Sequence, residues 1–303
     1  MTVDRTAVIT GANSGLGFEC VRALLDTNPS WHIVLAVRDA HRGAEAVGRL
    51  GSAARCTVLP LDLASLTSVR DFPTRLAERE LPPLRALVCN AGLQVVSGLE
   101  RTPAGVELTF GVNHLGHFAL VDGLLDQLAP PARVVIVSSG THDPAKFSGM
   151  PKPQYNSAEE LAHPADGASS AADGRRRYTT SKLCNVLYAY ELDRRLDRGR
   201  RGVTVNAFDP GLMPGSGLAR DYSTAQRFLW RHLFPALRVL PGVRSTRASG
   251  RHLAALAADP RFDDVTGRYF SGRRPIRSSA DSYDTDRARD LWETSERLLT
   301  LAI

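Results

Sequence analysis

Seven short apolar runs alternate along this chain with segments of helical period. The runs span residues 5–10, 32–37, 55–60, 84–89, 133–137, 203–208 and 267–270. Strands buried on both faces read as near-continuous apolar runs, as they do in a parallel sheet covered by helices. Strand and helix in regular alternation select an α/β architecture, a doubly wound parallel sheet of about seven strands with helices on both faces. No repeat or linker interrupts the 303 residues, so a single domain over 1–303 is expected.

The first run stops at Gly11 and opens on Gly11, Ala12, Asn13, Ser14, Gly15, Leu16 and Gly17, ahead of a helical run from Phe18 to Leu25. Strand, glycine loop and helix together aim backbone N–H groups and a helix N-terminus at a phosphate. The spacing is GxxxGxG rather than GxGxxG, and a glycine-rich loop alone also reads as a plain turn. Arg38 follows the second run. A βαβ unit holding a dinucleotide places an acidic residue there to bind the ribose 2′-hydroxyl. An arginine suits a 2′-phosphate instead, which it grips through two parallel bonds. With Asp39 beside it as a competing acid, NADP(H) is favoured over NAD(H).

The third run ends in Leu61, Asp62 and Leu63. Asp62 either flanks an adenine or caps the helix expected from Ser65. The fourth run delivers Asn90, Ala91 and Gly92, small enough for a cofactor to lie against the backbone, although an ordinary strand-end turn looks the same. A long helix is expected over 103–128. In its middle stand Asn113, His114 and His117. A buried mid-helix asparagine must satisfy its amide, as a staple or as part of a polar relay. The histidines lack partners at metal-ligand spacing, so no metal is expected. The fifth run ends in Ser138 and Ser139, whose hydroxyls face the crevice at the carboxyl ends of the strands.

Tyr178 and Lys182 lie on a helical run from Arg177 to Leu196 and share a face at spacing four. A phenol titrates near about 10, and a neighbouring cation favours its phenolate. The pair is therefore a candidate general acid/base, against the alternative of a surface tyrosine and a solvated lysine.

Hydrophobic content of 43% and charged content of 23% are those of a globular chain. The net charge of +6 is spread through short arginine clusters, which read as solvated faces or anion contacts, and no nucleic-acid partner is expected. The basic field favours an anionic ligand. Four cysteines without CxxC spacing imply reduced thiols. With no room for a signal peptide before the first strand and no membrane-spanning run, the expected location is cytoplasmic. The arginine-over-lysine and alanine bias points to a bacterial source.

TGANSGLG (10–17), NAG (90–92), NHLGHF (113–118), VSS (137–139), YTTSK (178–182) and DPG (209–211) stand in an order that resembles the short-chain dehydrogenase/reductase family over essentially the whole chain. WHIVLAVRD (31–39), YTTSKLCNVL (178–187) and DTDRARDLWETSERLL (284–299) resemble its retinol dehydrogenase and protochlorophyllide reductase branch. The resemblance implies a Rossmann-like fold, with Tyr178 as proton donor and acceptor and Lys182 as its pKa-lowering partner and ribose ligand. Ser139 would orient the carbonyl, and Asn113 would be the relay asparagine that holds a water against the lysine. It also implies cofactor contacts from the glycine loop, Asp62, Leu63, residues 90–92, Pro210, Gly211 and Leu212.

Two departures stand out. The stretch 141–174 between Ser139 and Tyr178 is long and irregular, to be read as a lid or as disordered. Protochlorophyllide reductases lengthen this region too, but carry a cysteine directly after the Pro-Gly of the sixth strand. Leu212 stands there in this chain, which argues against porphyrin photochemistry. Residues 212–240 are rich in Leu, Phe and Trp and are expected to form a substrate lid, with Ser216 near the cofactor. So much apolar surface suits a bulky hydrophobic carbonyl or alcohol substrate; core packing, a homodimer partner or a peripheral membrane contact would use it as well. The expected function is NADP(H)-dependent interconversion of a carbonyl and an alcohol. The alternatives are reduction of a C=C bond in a large conjugated ligand, and a non-catalytic NADP(H) sensor, which has no need of the Asn113, Ser139, Tyr178 and Lys182 set.

Overall fold

The computed structural model describes residues 2–196, 202–213 and 244–301. Its first half alternates strictly: β1 (Arg5–Thr10), α1 (Gly15–Thr27), β2 (Trp31–Val37), α2 (Ala40–Leu50), β3 (Cys56–Pro60), α3 (Leu66–Ala77) and β4 (Leu84–Cys89). A helical stretch follows, made of α4 (Leu108–Phe110), a π-helical turn (Gly111–Leu115) and α5 (Gly116–Leu124), and leads into β5 (Leu128–Val137). Then come α6 (Ala158–Ala162), α7 (Ala171–Arg195), β6 (Val203–Asp209), α8 (Thr246–Ala258), β7 (Arg268–Ser271), β8 (Arg274–Ile276) and α9 (Thr285–Leu301).

The strands form one sheet in the order β3-β2-β1-β4-β5-β6-β7-β8. Every neighbouring pair runs parallel except β7 and β8. Alternate residues feed opposite faces. Val8, Val34, Leu87 and Val134 join a core with Phe72 of α3, Phe118 of α5 and Leu187 of α7. Ile9, Ile33, Leu35, Val88 and Val135 join another with Leu24 of α1, Ala46 of α2 and Leu253 of α8. Helices therefore cover both faces, and the sheet is the expected doubly wound one with an eighth strand added. That strand is Arg-Pro-Ile with every residue exposed, so it carries no apolar signal, and its proline suits only a sheet edge.

Three boundaries differ from expectation. The helix expected from Pro103 starts at Leu108, where the Glu107 side chain caps it by accepting the Phe110 N–H at 2.6 Å. β5 begins at Leu128, five residues early, through Pro130 and Pro131. α7 begins at Ala171 rather than Arg177, on a capping box in which Ser170 and Asp173 bond each other's backbone N–H. The stretch 141–174 is thus only partly irregular, since it contains α6 and the first turn of α7. It is also tied down. Gln154 N–H donates to Thr180 Oγ1 of α7 at 2.9 Å, and Tyr155 O–H donates to Asp290 Oδ2 of α9 at 2.7 Å. The candidate lid lies outside the described residues apart from Leu212 and Met213, as do Ser216 and the aromatic cluster 228–234.

Candidate active site

In the order 3-2-1-4-5-6 the sheet reverses between β1 and β4, and an open α/β sheet takes its ligand outside the carboxyl ends of the strands at that point. The loop after β1 and the turn after β4 meet there. Asn90 Nδ2 donates to Thr10 O at 2.8 Å, while Thr10 Oγ1 accepts the N–H groups of Asn90 at 2.8 Å and Ala91 at 2.9 Å. A Cβ on Gly17 would fall 2.6 Å from Asn90 Nδ2 and 2.7 Å from Gly11 O, so only glycine lets α1 start so close to the turn. Asn13 and Ser14 lead into that start, and Leu16 is buried beneath it. Ser14 makes no side-chain cap and no acidic residue occupies the first turn, while Gly15 has open space around it. These first N–H groups form a ready anion site.

Arg38 is exposed beyond the end of β2. Asp39, also exposed, caps α2 by accepting the Arg42 N–H at 3.1 Å on Oδ1. A cleft of about 570 Å³ beside the glycine loop is lined by Asn13, Ser14, Arg42, Glu45, Gly48 and Arg49. Arg42 is a second cation that the sequence reading missed; its spacing of four from Arg38 was the available signal. Arg49 Nη2 donates to Asn13 O at 2.8 Å and its guanidinium lies over the Phe18 ring at 4.4 Å, steadying the loop. Asp62 Oδ1 accepts the Ala64 N–H at 3.0 Å, and Ser65 rather than Asp62 caps α3. Leu63 is buried, with its carbonyl against Gly116.

Asn113 sits in the π-helical turn with both amide donors and its oxygen engaged. Oδ1 accepts the Leu93 N–H at 2.8 Å, and Nδ2 donates to Leu93 O at 3.0 Å and Ser181 Oγ at 2.9 Å. The side chain therefore staples the turn after β4 to α7. His117 bridges Thr10 Oγ1 at 2.9 Å and the Asn113 carbonyl at 3.2 Å, and burial pushes its pKa down to about 4. Among the described residues no cluster of His, Cys, Asp or Glu could hold a metal.

Lys182 is 4% exposed and donates from Nζ to Val137 O at 3.3 Å, with Nζ 5.6 Å from the Tyr178 ring centroid. Burial lowers its pKa to about 8, so it is still mainly a cation at neutral pH. A Cβ on Gly92 would lie 3.5 Å from that Nζ and 3.2 Å from Asn113 Oδ1, which brings the turn after β4, Asn113 and Lys182 to one place. The serine pair divides its labour. Ser138 is buried and its Oγ donates to Lys182 O at 2.6 Å, whereas Ser139 is half-buried and its Oγ accepts the Thr141 N–H at 3.3 Å. Asp209 Oδ1 accepts the N–H groups of Gly140 at 3.1 Å and Gly211 at 2.8 Å, joining the loops after β5 and β6. Pro210 is buried, while Leu212 is 44% exposed.

Comparison with known proteins bears on this arrangement. The family model for short chain dehydrogenase matches residues 5–151. Protochlorophyllide reductase of Avena sativa is 37% identical over 319 residues, covering 97% of this chain and 99% of that protein. Among solved structures, an uncharacterized protein of Mycobacterium paratuberculosis superposes with a TM-score of 0.68 at 29% identity, covering 98% of this chain and 93% of that one. The Pseudomonas aeruginosa RhlG/NADP active-site complex shares the fold, with a TM-score of 0.66 at 22% identity over 94% of this chain and 96% of that one.

Proposed function

Because this chain belongs to the short-chain dehydrogenase family and is an oxidoreductase of it, we propose that it interconverts a carbonyl and an alcohol on a bulky hydrophobic substrate with NADP(H), within one domain. The residues fit that cofactor: uncapped N–H groups at the start of α1 suit its pyrophosphate, and Arg38 and Arg42 suit a 2′-phosphate. When bound, the nicotinamide supplies or accepts the hydride at the carbonyl carbon. Tyr178 gives or takes the proton on oxygen. The Lys182 cation beside its ring favours the phenolate, and its remaining N–H groups are available to ribose hydroxyls. The Ser139 O–H donates to the developing alkoxide.

The observation that carries this reading is the split of the serine pair: Ser138 Oγ spends its proton on Lys182 O, while Ser139 Oγ accepts the Thr141 N–H and keeps its own O–H for a ligand. The test is NADPH oxidation against aromatic and aliphatic carbonyls of graded size. Turnover that rises with apolar bulk supports the assignment, and its absence throughout the panel overturns it.

A second reading draws on the protochlorophyllide reductase relatives, whose name implies reduction within a large conjugated ligand. The cysteine that those enzymes carry after Pro-Gly is Leu212 here, and all four cysteines of this chain lie elsewhere, three of them buried. Illumination of the protein with protochlorophyllide and NADPH separates the two: product formation there, without carbonyl turnover, selects the C=C reading.

A further inference from the structure

Directly behind Ser139 lies His142, fully buried at the end of a 3-10 turn (Gly140–His142) that Ser139 caps. Its ring nitrogens face a backbone N–H, a backbone carbonyl and, 3.4 Å from Nδ1, the Tyr269 hydroxyl, which can donate or accept. The Ser279 backbone N–H points at Nε2 from 3.0 Å and can only donate, so Nε2 carries the lone pair. The ring proton is then on Nδ1, which donates to the Ser139 carbonyl at 2.7 Å. The Tyr269 ring packs against the imidazole with centroids 4.8 Å apart.

The anchor at the far end is itself tied to the catalytic helix. Ser279 O accepts from Ser282 Oγ at 2.7 Å, Ser282 Oγ bonds Ser278 Oγ at 2.6 Å, and Ser278 Oγ bonds the Tyr190 hydroxyl of α7 at 2.7 Å. Tyr190 lies on the same helix as Tyr178 and Lys182. A hydrogen-bonded path thus runs from the Ser139 peptide through His142 and the C-terminal segment to the element bearing the acid/base pair.

We propose that His142 is a positioning residue for the reaction: its neutral ring, protonated on Nδ1, holds the Ser139 peptide and so sets the Ser139 hydroxyl relative to Tyr178, with segment 278–283 as the anchor. This rests on the assignment of Ser139 as the carbonyl-orienting hydroxyl. With Nε2 facing a backbone donor, the fully buried neutral ring has one tautomer that satisfies both the Ser279 N–H and the Ser139 carbonyl, and the Tyr269 hydroxyl beside Nδ1 can accept alongside that carbonyl, which makes the ring a rigid spacer between two elements.

Two variants of the full chain divide the ring's two bonds. His142→Asn keeps a donor where Nδ1 stands, and His142→Gln keeps an acceptor where Nε2 stands. With whichever carbonyl the wild type reduces, the Gln variant should lose about tenfold or more in kcat while its KM for NADPH holds, and the Asn variant should stay within about threefold of wild type. Melting temperatures measured alongside separate positioning from folding: equal kcat in both variants with lowered melting temperatures makes His142 merely structural and overturns the inference. Ser139→Ala, run in parallel, tells the failures apart. If it keeps wild-type turnover, the role of Ser139 is wrong; if it is inactive while His142→Gln is fully active, the positioning role is wrong. Nitrogen-15 NMR of histidine-labelled wild type at pH 7 needs no substrate, and a ring protonated on Nε2 or on both nitrogens overturns the inference outright.

Discussion

At the scale of single residues, the acid/base pair and the arginine after β2 make the sharpest claims. With Tyr178 in the proposed role of proton donor and acceptor, Tyr178→Phe should abolish turnover and leave NADPH binding nearly intact; near wild-type activity in that variant means that another group is the acid. Arg38→Ala should weaken NADPH by about 1.5–3 kcal/mol and leave NADH unchanged. Equal affinity of the wild type for both cofactors, measured by titration, removes the case for a 2′-phosphate contact. Lys182 carries a cost in stability. Burial holds its pKa at about 8, below the ordinary 10.5, so below pH 8 the folded protein carries a buried cation. Between 8 and 10.5 the unfolded chain binds a proton that the folded one lacks, and stability rises with pH across that window. Lys182→Met should therefore be more stable than wild type at pH 7, by about 3 kcal/mol at most, with the difference shrinking toward pH 10. A lower melting temperature for Lys182→Met at pH 7 contradicts this.

At the scale of elements, α7 is the piece whose placement matters most, and its first turn was not legible. Gly174 reads as a breaker in a Pro- and Ser-rich stretch, yet it lies inside the helix. The reason is close approach: a Cβ there would fall 2.2 Å from Val95 O and 2.8 Å from Val96 Cα. The next turn of α7 is pinned by the pair of Arg177 and Glu107, 3.2 Å apart, and burial raises the Glu107 pKa against that attraction. Gly174→Ala should cost about 1–3 kcal/mol in urea unfolding, as overpacking does elsewhere. An unchanged midpoint means that α7 does not press on this segment. The helix from Leu108 was legible in type but not in its start, because Glu107 caps it through a side chain whose role depends on burial.

At the scale of the whole molecule, buried histidines make the fold sensitive to acid. Burial pushes the pKa of His114 down to about 3 and that of His117 to about 4, and the ordinary value is 6.5. From pH 6.5 down to 4 the unfolded chain takes up protons that the folded chain refuses, so stability falls with pH, by up to about 2.7 kcal/mol per unit for the two together. Melting temperatures between pH 7 and 4.5 check this, and a flat profile means these rings are not held neutral in the fold. No described helix is long and apolar enough to cross a membrane. What the sequence by itself determined is local in origin: strand and helix alternate, glycines follow β1, Tyr178 and Lys182 share a helix face, and the motifs stand in order. Period, turn chemistry and spacing are properties of neighbouring residues, so a linear reading reaches them. Only the tertiary structure decided that Ser138 rather than Ser139 bonds Lys182 O, that Asp39 caps α2, that Asn113 staples Leu93 to Ser181, and that the stretch before α7 is bound to α9. Three of those four are hydrogen bonds between distant parts of the chain, 44 residues apart for Ser138 and Lys182 and 68 for Asn113 and Ser181. Such a partner is chosen by how the sheet stacks its helices, which no local window contains.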